Sequence, residues 1–451
     1  MRHEKNNRRK ARFCRMNLHP SPSAAGIAAR LAASRALREC LRGKRPLGAA
    51  LDDAVMSLSA RDSGFARAIA NETMRRFGQL DDVLRRFVPR PPPPHKAGPT
   101  LEILLAGICE LLFLHVPAHA AVDGANRLAA ADSKAIHFRP LINATLRRVT
   151  REGAAALSEQ DEERVNTPDW LWTRWVDAYS EETTRAIARA HAQMPSLDLA
   201  YKSTAKDVPR EAAVELPGGM IRVPNAGSVE NLPGFSEGEF WVQDFAATLP
   251  ARLFGNIRGR NTLDLCAAPG GKTAQLSSMG AQVTAVERDE ARMARLRENL
   301  ARLRLEADTS LCDVRDFRPQ APADFVLLDA PCSATGTTRR HPELPWIKSA
   351  ADVAACTDAA AELLESAATM VKIQGLMVFA VCSLEPEEGS EQVAHFLRGH
   401  PEFARVPVAP AEVYGLEECI DAQGDLRTLP SHLGQRGGMD GFYAARLRRL
   451  R

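Results

Sequence analysis

The stretch "LDLCAAPGGKTAQL", Leu263 to Leu276, decides the fold. An apolar run leads into a Pro-Gly-Gly turn and then into residues with helical spacing, the order strand, glycine turn, helix. Such a turn offers backbone N–H groups at a helix start to an anion or to the edge of a nucleotide. Counting excludes two phosphate-binding versions. A phosphate loop needs glycine five residues before Gly271, where Cys266 stands, and G-x-G-x-x-G has no match in the chain.

Outward from this stretch the same grammar repeats. From Phe240 the runs "NTLDLCAA", "AQVTAVE", "DTSLCDV", "ADFVLLDA", "GLMVFAVCS" and "GFYAARLRR" alternate with helical segments. That alternation predicts βαβ units and a mainly parallel sheet, whose ligands bind beyond the carboxyl ends of the strands. The strand after the glycine turn ends at Glu287, twenty-one residues past Cys266, about the offset at which an acid accepts from ribose hydroxyls. The next ends at Asp313, placed to accept from an adenine amino group. Singly these are a tight turn and two surface acids. In this order they describe a pocket for a nucleoside without a phosphate, and S-adenosylmethionine fits, its amino-acid end at the turn.

Toward the N-terminus the pattern is helical from Ala24 to about Glu152, an all-α module. "PRPPPPH", Pro89 to His95, is expected to be an extended connector. The apolar stretch Leu101 to Val122 carries Glu102, Glu110, His115 and His119, so it is read as a core helix and its loop rather than a membrane span. From Thr167 to about Pro233 two helices precede short apolar runs broken by Pro and Gly, a small α+β segment.

Of 451 residues, 45% are hydrophobic and 25% charged, which excludes a disordered scaffold. The net charge of +3 is uneven: seven Lys and Arg against Glu4 give residues 1–21 a net +6, so the rest of the chain is mildly acidic. That tail, and the cluster Arg147, Arg148 and Arg151, suit phosphates. No apolar segment near the N-terminus escapes interruption by arginine, so no secretory signal is expected. Nine cysteines without one C-x-x-C pair fit neither a zinc site nor a disulfide framework, and predict free thiols, a reducing cytoplasm and no metal.

Two thiols stand out. "LLDAPCSATG", Leu327 to Gly336, and "VFAVCSLEPEE", Val378 to Glu388, each end a buried strand and place Cys332 and Cys382 after it. "LDLCAAPGGKT", "LLDAPCSATG", "RRHPE" and "VCSLEPEE", in this order, resemble the bacterial Sun/Fmu (RsmB-like) family of RNA cytosine-C5 methyltransferases. "ELLFLHVPAHAAVDGA" and "LINATLRRV" are similar to the NusB-like RNA-binding domain that precedes the catalytic domain in that branch. The expected layout is therefore a basic tail over 1–21, a NusB-like helical domain over 22–155, a small α+β linker domain over 156–234, and a Rossmann-like class I methyltransferase domain over 235–451.

The resemblance implies S-adenosylmethionine contacts at Cys266, Ala267, Ala268, Pro269, Gly270, Gly271, Lys272, Glu287, Asp313 and Asp329. It implies Cys382 as nucleophile and Cys332 as the group that assists product release. The chemistry needs both, because carbon 5 of cytosine attacks a sulfonium methyl only after a thiolate has added to carbon 6, and that thiol must later leave. Asp329 is placed to bond the N3/N4 edge of the pyrimidine. The implied partner is RNA, small-subunit ribosomal RNA above all, met by a cytoplasmic monomer, with Arg339, Arg340, His341, Arg147 and Arg148 expected on its phosphates. Three positions depart from the family pattern: Glu287 for aspartate, Val381 in "AVCS" for threonine, and Gly389 for asparagine. Two other readings stay open. One is an RNA-binding, transcription-associated factor with a vestigial catalytic domain, against which the intact Asp329, Cys332 and Cys382 weigh. The other is a methyltransferase of tRNA or of DNA cytosine; the DNA chemistry would make Cys332 essential and Cys382 spare.

Overall fold

The computed structural model describes residues 24–202, 213–224 and 226–451; the basic tail expected over 1–21 lies outside them. The chain divides into two compact units, Met1–Gln160 and Asp161–Arg451.

The first unit is helical: α1 (Ala24–Gly43), α2 (Leu47–Val55), α3 (Ala60–Arg75), α4 (Phe77–Phe87), the single turn α5 (Pro94–Ala97), α6 (Thr100–Leu112), α7 (Ala118–Ala130) and α8 (Arg139–Ser158). The apolar stretch is α6, buried from Glu102 to Glu110. Its Ile103, Leu104 and Ile108 pack with Leu80 and Leu84 of α4 and with Leu146 and Val149 of α8. The two acids that interrupt it are matched from α1. Glu110 accepts from Arg30 Nε at 3.0 Å and Glu102 from Arg42 Nε at 2.8 Å. Burial raises both carboxyls above their usual range and the arginines pull back, so the charges sit inside only as pairs. The proline connector is shorter than expected. Pro94 opens α5, because the first position of a helix does not use the N–H that proline lacks.

The second unit opens with α9 (Glu162–Val165), α10 (Asp169–Tyr179) and α11 (Glu181–His191). A small antiparallel sheet follows, β1 (Leu197–Tyr201), β2 (Val214–Leu216), β3 (Met220–Val223) and β4 (Phe240–Val242), in the order β2-β3-β1-β4. One expected boundary, 155/156, therefore falls inside an element, and the other, 234/235, comes before the last strand of the small sheet. The alanine-rich end of α8 continues to Ser158, and "FWV" of β4 pairs with β1, Leu199 opposite Val242, rather than starting the next sheet.

That next sheet follows α12 (Phe245–Arg252). In chain order it comprises β5 (Asn261–Leu265), α13 (Gly271–Ser278), β6 (Gln282–Glu287), α14 (Glu290–Leu303), β7 (Asp308–Leu311), β8 (Ala323–Asp329), α15 (Leu344–Ile347), α16 (Ala350–Thr369), β9 (Val371–Val381), α17 (Ser390–Gly399), β10 (Phe403–Arg405), β11 (Leu426–Thr428) and β12 (Phe442–Arg449). The order is β10-β12-β9-β8-β5-β6-β7, with β11 beside β12. Strands β5 to β9 pair in parallel and β12 runs antiparallel to β9. Along β9, Val378 and Ala380 enter the core on one face while Met377, Phe379 and Val381 enter the core on the other. Both faces are covered, which is why the strand reads as continuous apolar sequence. Strand order reverses about β5, whose neighbours are β6 and β8. The crevice of such a sheet opens there, at the carboxyl ends. Among the described residues no helix is long and apolar enough to cross a membrane.

Candidate active site

A pocket opens at these carboxyl ends, and Cys266, Ala268, Glu287, Asp313, Asp329, Cys332 and Cys382 are among its lining residues. The turn after β5 is built by backbone conformation. Cys266 takes φ 61°, Gly270 takes φ 100° where a Cβ would meet Leu296 Cγ at 3.0 Å, and α13 starts at once. Ala267 N donates to Val286 O at 3.0 Å and Gly270 N to Ala267 O at 2.9 Å, which ties the turn to β6. Beneath it Thr273 Oγ1 donates to the buried Asp264 Oδ2 at 2.6 Å, and burial pushes the Asp264 carboxyl up to about 7. Burial likewise pushes the Cys266 thiol up to about 12, so it faces the pocket as a neutral group.

Glu287 is 3% exposed at the end of β6. Its Oε1 accepts from the N–H groups of Arg288 at 2.9 Å and Asp289 at 3.0 Å; its Oε2 is buried without a hydrogen-bond partner. Asp313 lies after β7, where Arg315 Nε at 2.9 Å and its backbone N–H at 3.0 Å hold the carboxyl down to about 2. Arg288 and Arg292 also line the pocket. Sequence reasoning missed both, because arginines at a helix start read as solvated charge.

Asp329 lies opposite Ala380 across the parallel pair β8 and β9, so the segments that follow the two strands leave side by side. Cys332 and Cys382 meet there with sulfurs 3.5 Å apart. The contact with Cys382, and then burial, hold the Cys332 thiol well above its ordinary range. Lys272 does not stay with the turn it was assigned to: its Nζ reaches Asp329 Oδ2 at 2.8 Å and lies 5.0 Å from the Phe442 ring centre. Burial works against the ammonium, but the Asp329 carboxylate outweighs it and raises the lysine above its usual value.

The Cys382 loop is braced from α10. Trp175 Nε1 donates to Glu385 Oε1 at 2.9 Å, Arg174 Nε to Glu385 Oε2 at 2.7 Å, and the Tyr179 hydroxyl to Leu384 O. Gly389 now has a reason. A Cβ there would come within 2.9 Å of Arg427 Nη2 and 3.0 Å of the Tyr443 ring, and Arg427 Nη1 donates to Ser383 O at 2.6 Å. The expected phosphate grip after Cys332 needs correction. Arg339 is 1% exposed and donates to Gly437 O at 2.6 Å, while Arg340 is held by Asp244 at 2.6 Å and Asp440 at 3.0 Å. Arg339 is thus buried and Arg340 is ion-paired to two buried acids. His341, Arg147 and Arg148 are exposed, with Arg148 Nε on Glu152 at 2.9 Å.

A doubly covered parallel sheet with a glycine turn after its first strand and acids ending the next two is the fold of an S-adenosylmethionine-dependent methyltransferase. Residues 256–448 match the family model of the 16S rRNA methyltransferase RsmB/F, and residues 27–151 that of the NusB family. The ribosomal RNA small subunit methyltransferase B of Pseudomonas putida is 34% identical over 441 residues, 93% of this chain and 98% of that protein. Its namesake from Vibrio cholerae is 33% identical over 435 residues, 92% and 96% of the two chains. The crystal structure of PH0851 shares the fold with a TM-score of 0.72 at 23% identity, over 96% of this chain and 100% of that one. The chain belongs to the RsmB/F family of 16S rRNA methyltransferases: it is an S-adenosylmethionine-dependent RNA methyltransferase with a NusB-type helical domain ahead of the catalytic one.

Proposed function

We propose that the enzyme methylates carbon 5 of a cytosine in small-subunit ribosomal RNA through a covalent bond from Cys382 to carbon 6. The observation that carries this reading is the meeting of two thiols, 3.5 Å apart, on a pocket that Asp329 also lines. Glu287 Oε2, buried without a hydrogen bond and 3.6 Å from Arg292 Nη1, fits a ribose hydroxyl, Asp313 fits the adenine edge, and the turn from Cys266 to Gly271 fits the amino-acid end. When bound, S-adenosylmethionine supplies an electrophilic methyl group.

The residues of the chain do the rest. Cys382 adds as thiolate to carbon 6 while N3 takes up a proton relayed from solvent through Asp329, whose carboxylate, oriented by Lys272, then accepts from the N3–H and the N4 amino group. Carbon 5, now part of an enamine, becomes the nucleophile. Cys332 lies beside the adduct and assists release there: the carbon-5 proton passes to solvent water, N3 gives back its proton, and Cys382 leaves carbon 6 as thiolate by β-elimination. A cytosine within a helix cannot reach this pocket, so the target is in a loop or splayed from its stack. The enzyme works in the cytoplasm as a monomer on this reading.

The test uses the two cysteines separately. Cys382→Ala should fold and bind both ligands, yet give neither methylation nor a covalent RNA adduct. Cys332→Ala should add, transfer the methyl group and stall, leaving a protein–RNA band that survives denaturing electrophoresis. A persistent adduct in the Cys382 variant and none in the Cys332 variant would reverse the assignment. Bisulfite sequencing of 16S rRNA from a strain lacking the gene should show one unprotected cytosine, and an unchanged pattern would reject this substrate.

A further inference from the structure

Each of the two thiols is followed by a serine, and one carboxylate holds both serines. Glu388 is fully buried. Its Oε1 accepts from the Ser333 N–H at 2.7 Å, and its Oε2 accepts from Ser333 Oγ at 2.5 Å and from Ser383 Oγ. The two hydroxyl oxygens are themselves 3.3 Å apart. Ser333 and Ser383 are fifty residues apart in the chain, and β8 ends four residues before Ser333 and β9 two before Ser383, so regular sheet pairing no longer fixes their separation. We propose that Glu388 is the positioning residue that sets the distance between Cys332 and Cys382, by gripping the serine that follows each.

Three features point to geometry rather than bulk stability. Three hydrogen bonds to the Glu388 carboxylate come from residues adjacent to the two thiols, and the Cys356 thiol of α16 also lies against it. A buried carboxylate is a costly way to fill space, and burial does raise this one, but the three donors offset that cost only while both loops are in place. The loops are also tied independently, by Gly336 N on Cys382 O at 3.0 Å and by Leu384 N on Thr335 Oγ1 at 3.0 Å. Loss of Glu388 therefore loosens the thiol pair without dissolving the loops. Glu388 touches no reacting atom; it acts through Ser333 and Ser383.

The proposal deepens the two-thiol reading and rests on it for its consequence, but its geometry can be read without any methylation. Phenylarsine oxide, a trivalent arsenical, bridges two thiols only when they are adjacent. Wild-type protein should capture it through Cys332 and Cys382, with capture lost in Cys332→Ala and in Cys382→Ala. Glu388→Gln, which keeps the shape and removes the charge, should capture at least about tenfold more weakly while S-adenosylmethionine affinity by calorimetry stays within about twofold. Its kcat should fall about a hundredfold with KM for RNA little changed, the scale of a reacting group displaced by about 1 Å. Should Glu388→Gln not fold, Ser383→Ala removes one ligand and should weaken capture in the same direction. Undiminished capture by a folded Glu388→Gln overturns the proposal whatever the cysteine variants do. Weakened capture with full methylation keeps the positioning role and instead rejects the two-thiol chemistry.

Discussion

Glu287 Oε2, which takes no hydrogen bond from the protein, makes the sharpest test of the pocket. If it takes a ribose hydroxyl, Glu287→Ala should raise the dissociation constant for S-adenosylmethionine by roughly ten- to hundredfold, the scale of one or two charge-assisted hydrogen bonds. Calorimetry on a folded variant with unchanged affinity would remove the residue from the site. Asp264 makes a different test, because its carboxyl is raised from 3.8 to about 7 by burial. The folded state holds that proton more tightly than the unfolded one. Its stabilising contribution is therefore complete below pH about 4 and is lost as pH rises to about 7, a change on the order of 4 kcal/mol if the whole shift is realised. In urea unfolding, Asp264→Asn should gain on wild type between pH 5 and pH 8, and a difference independent of pH would contradict this. Asp329, Cys332 and Cys382 were legible in the sequence because the acid closes an apolar strand and the thiols follow such strands within three residues, where a polar group has few other reasons to be. Glu388 was not. It is the last acid in "EPEE", and nothing local separates it from Glu387, which is far more exposed.

At the scale of elements, α10 is the one whose function the sequence hid. "DWLWTRWVDAY" reads as the first of two helices, and in the structure its Trp175 is fully buried. What periodicity cannot report is that its polar atoms close on the Cys382 loop some two hundred residues later. Trp175→Phe should keep the packing and leave Glu385 Oε1 without its donor. The cost should be about 1–3 kcal/mol of stability, with a drop in kcat because the loop carries the nucleophile. Thermal unfolding and single-turnover methylation read the two effects, and a variant as stable and as fast as wild type would show that the brace is idle. The long strands β5, β6, β8, β9 and β12 were all legible from their apolar runs. The three-residue β10 and β11 were not, since three residues are too few to show alternation, and each joins the sheet through β12.

At the scale of the whole molecule, the break in the sequence between helical spacing and strand–helix alternation anticipated two architectures, and each has its own core. The finer boundaries were invisible because one lies just past the end of α8 and the other between two sheets, where no change of composition marks them. Having separate cores makes the units separable in function. The second unit holds the whole pocket, so a chain beginning at Asp161 should bind S-adenosylmethionine as the full protein does. The first unit presents Arg147, Arg148 and Arg151 on the exposed side of α8, and the phosphate correction at Arg339 and Arg340 removes two basic groups from the second. If the first unit holds the RNA backbone, its removal should weaken RNA binding, and the part lost should be the salt-sensitive part, since each released phosphate contact lowers the slope of log affinity against log salt by up to about one. Exchanging the three arginines for glutamine in the intact chain should reproduce part of that loss without touching either core. Filter binding over a salt series distinguishes the outcomes: a shorter chain with the full RNA affinity and an unchanged slope would mean that the helical unit serves some purpose other than holding RNA.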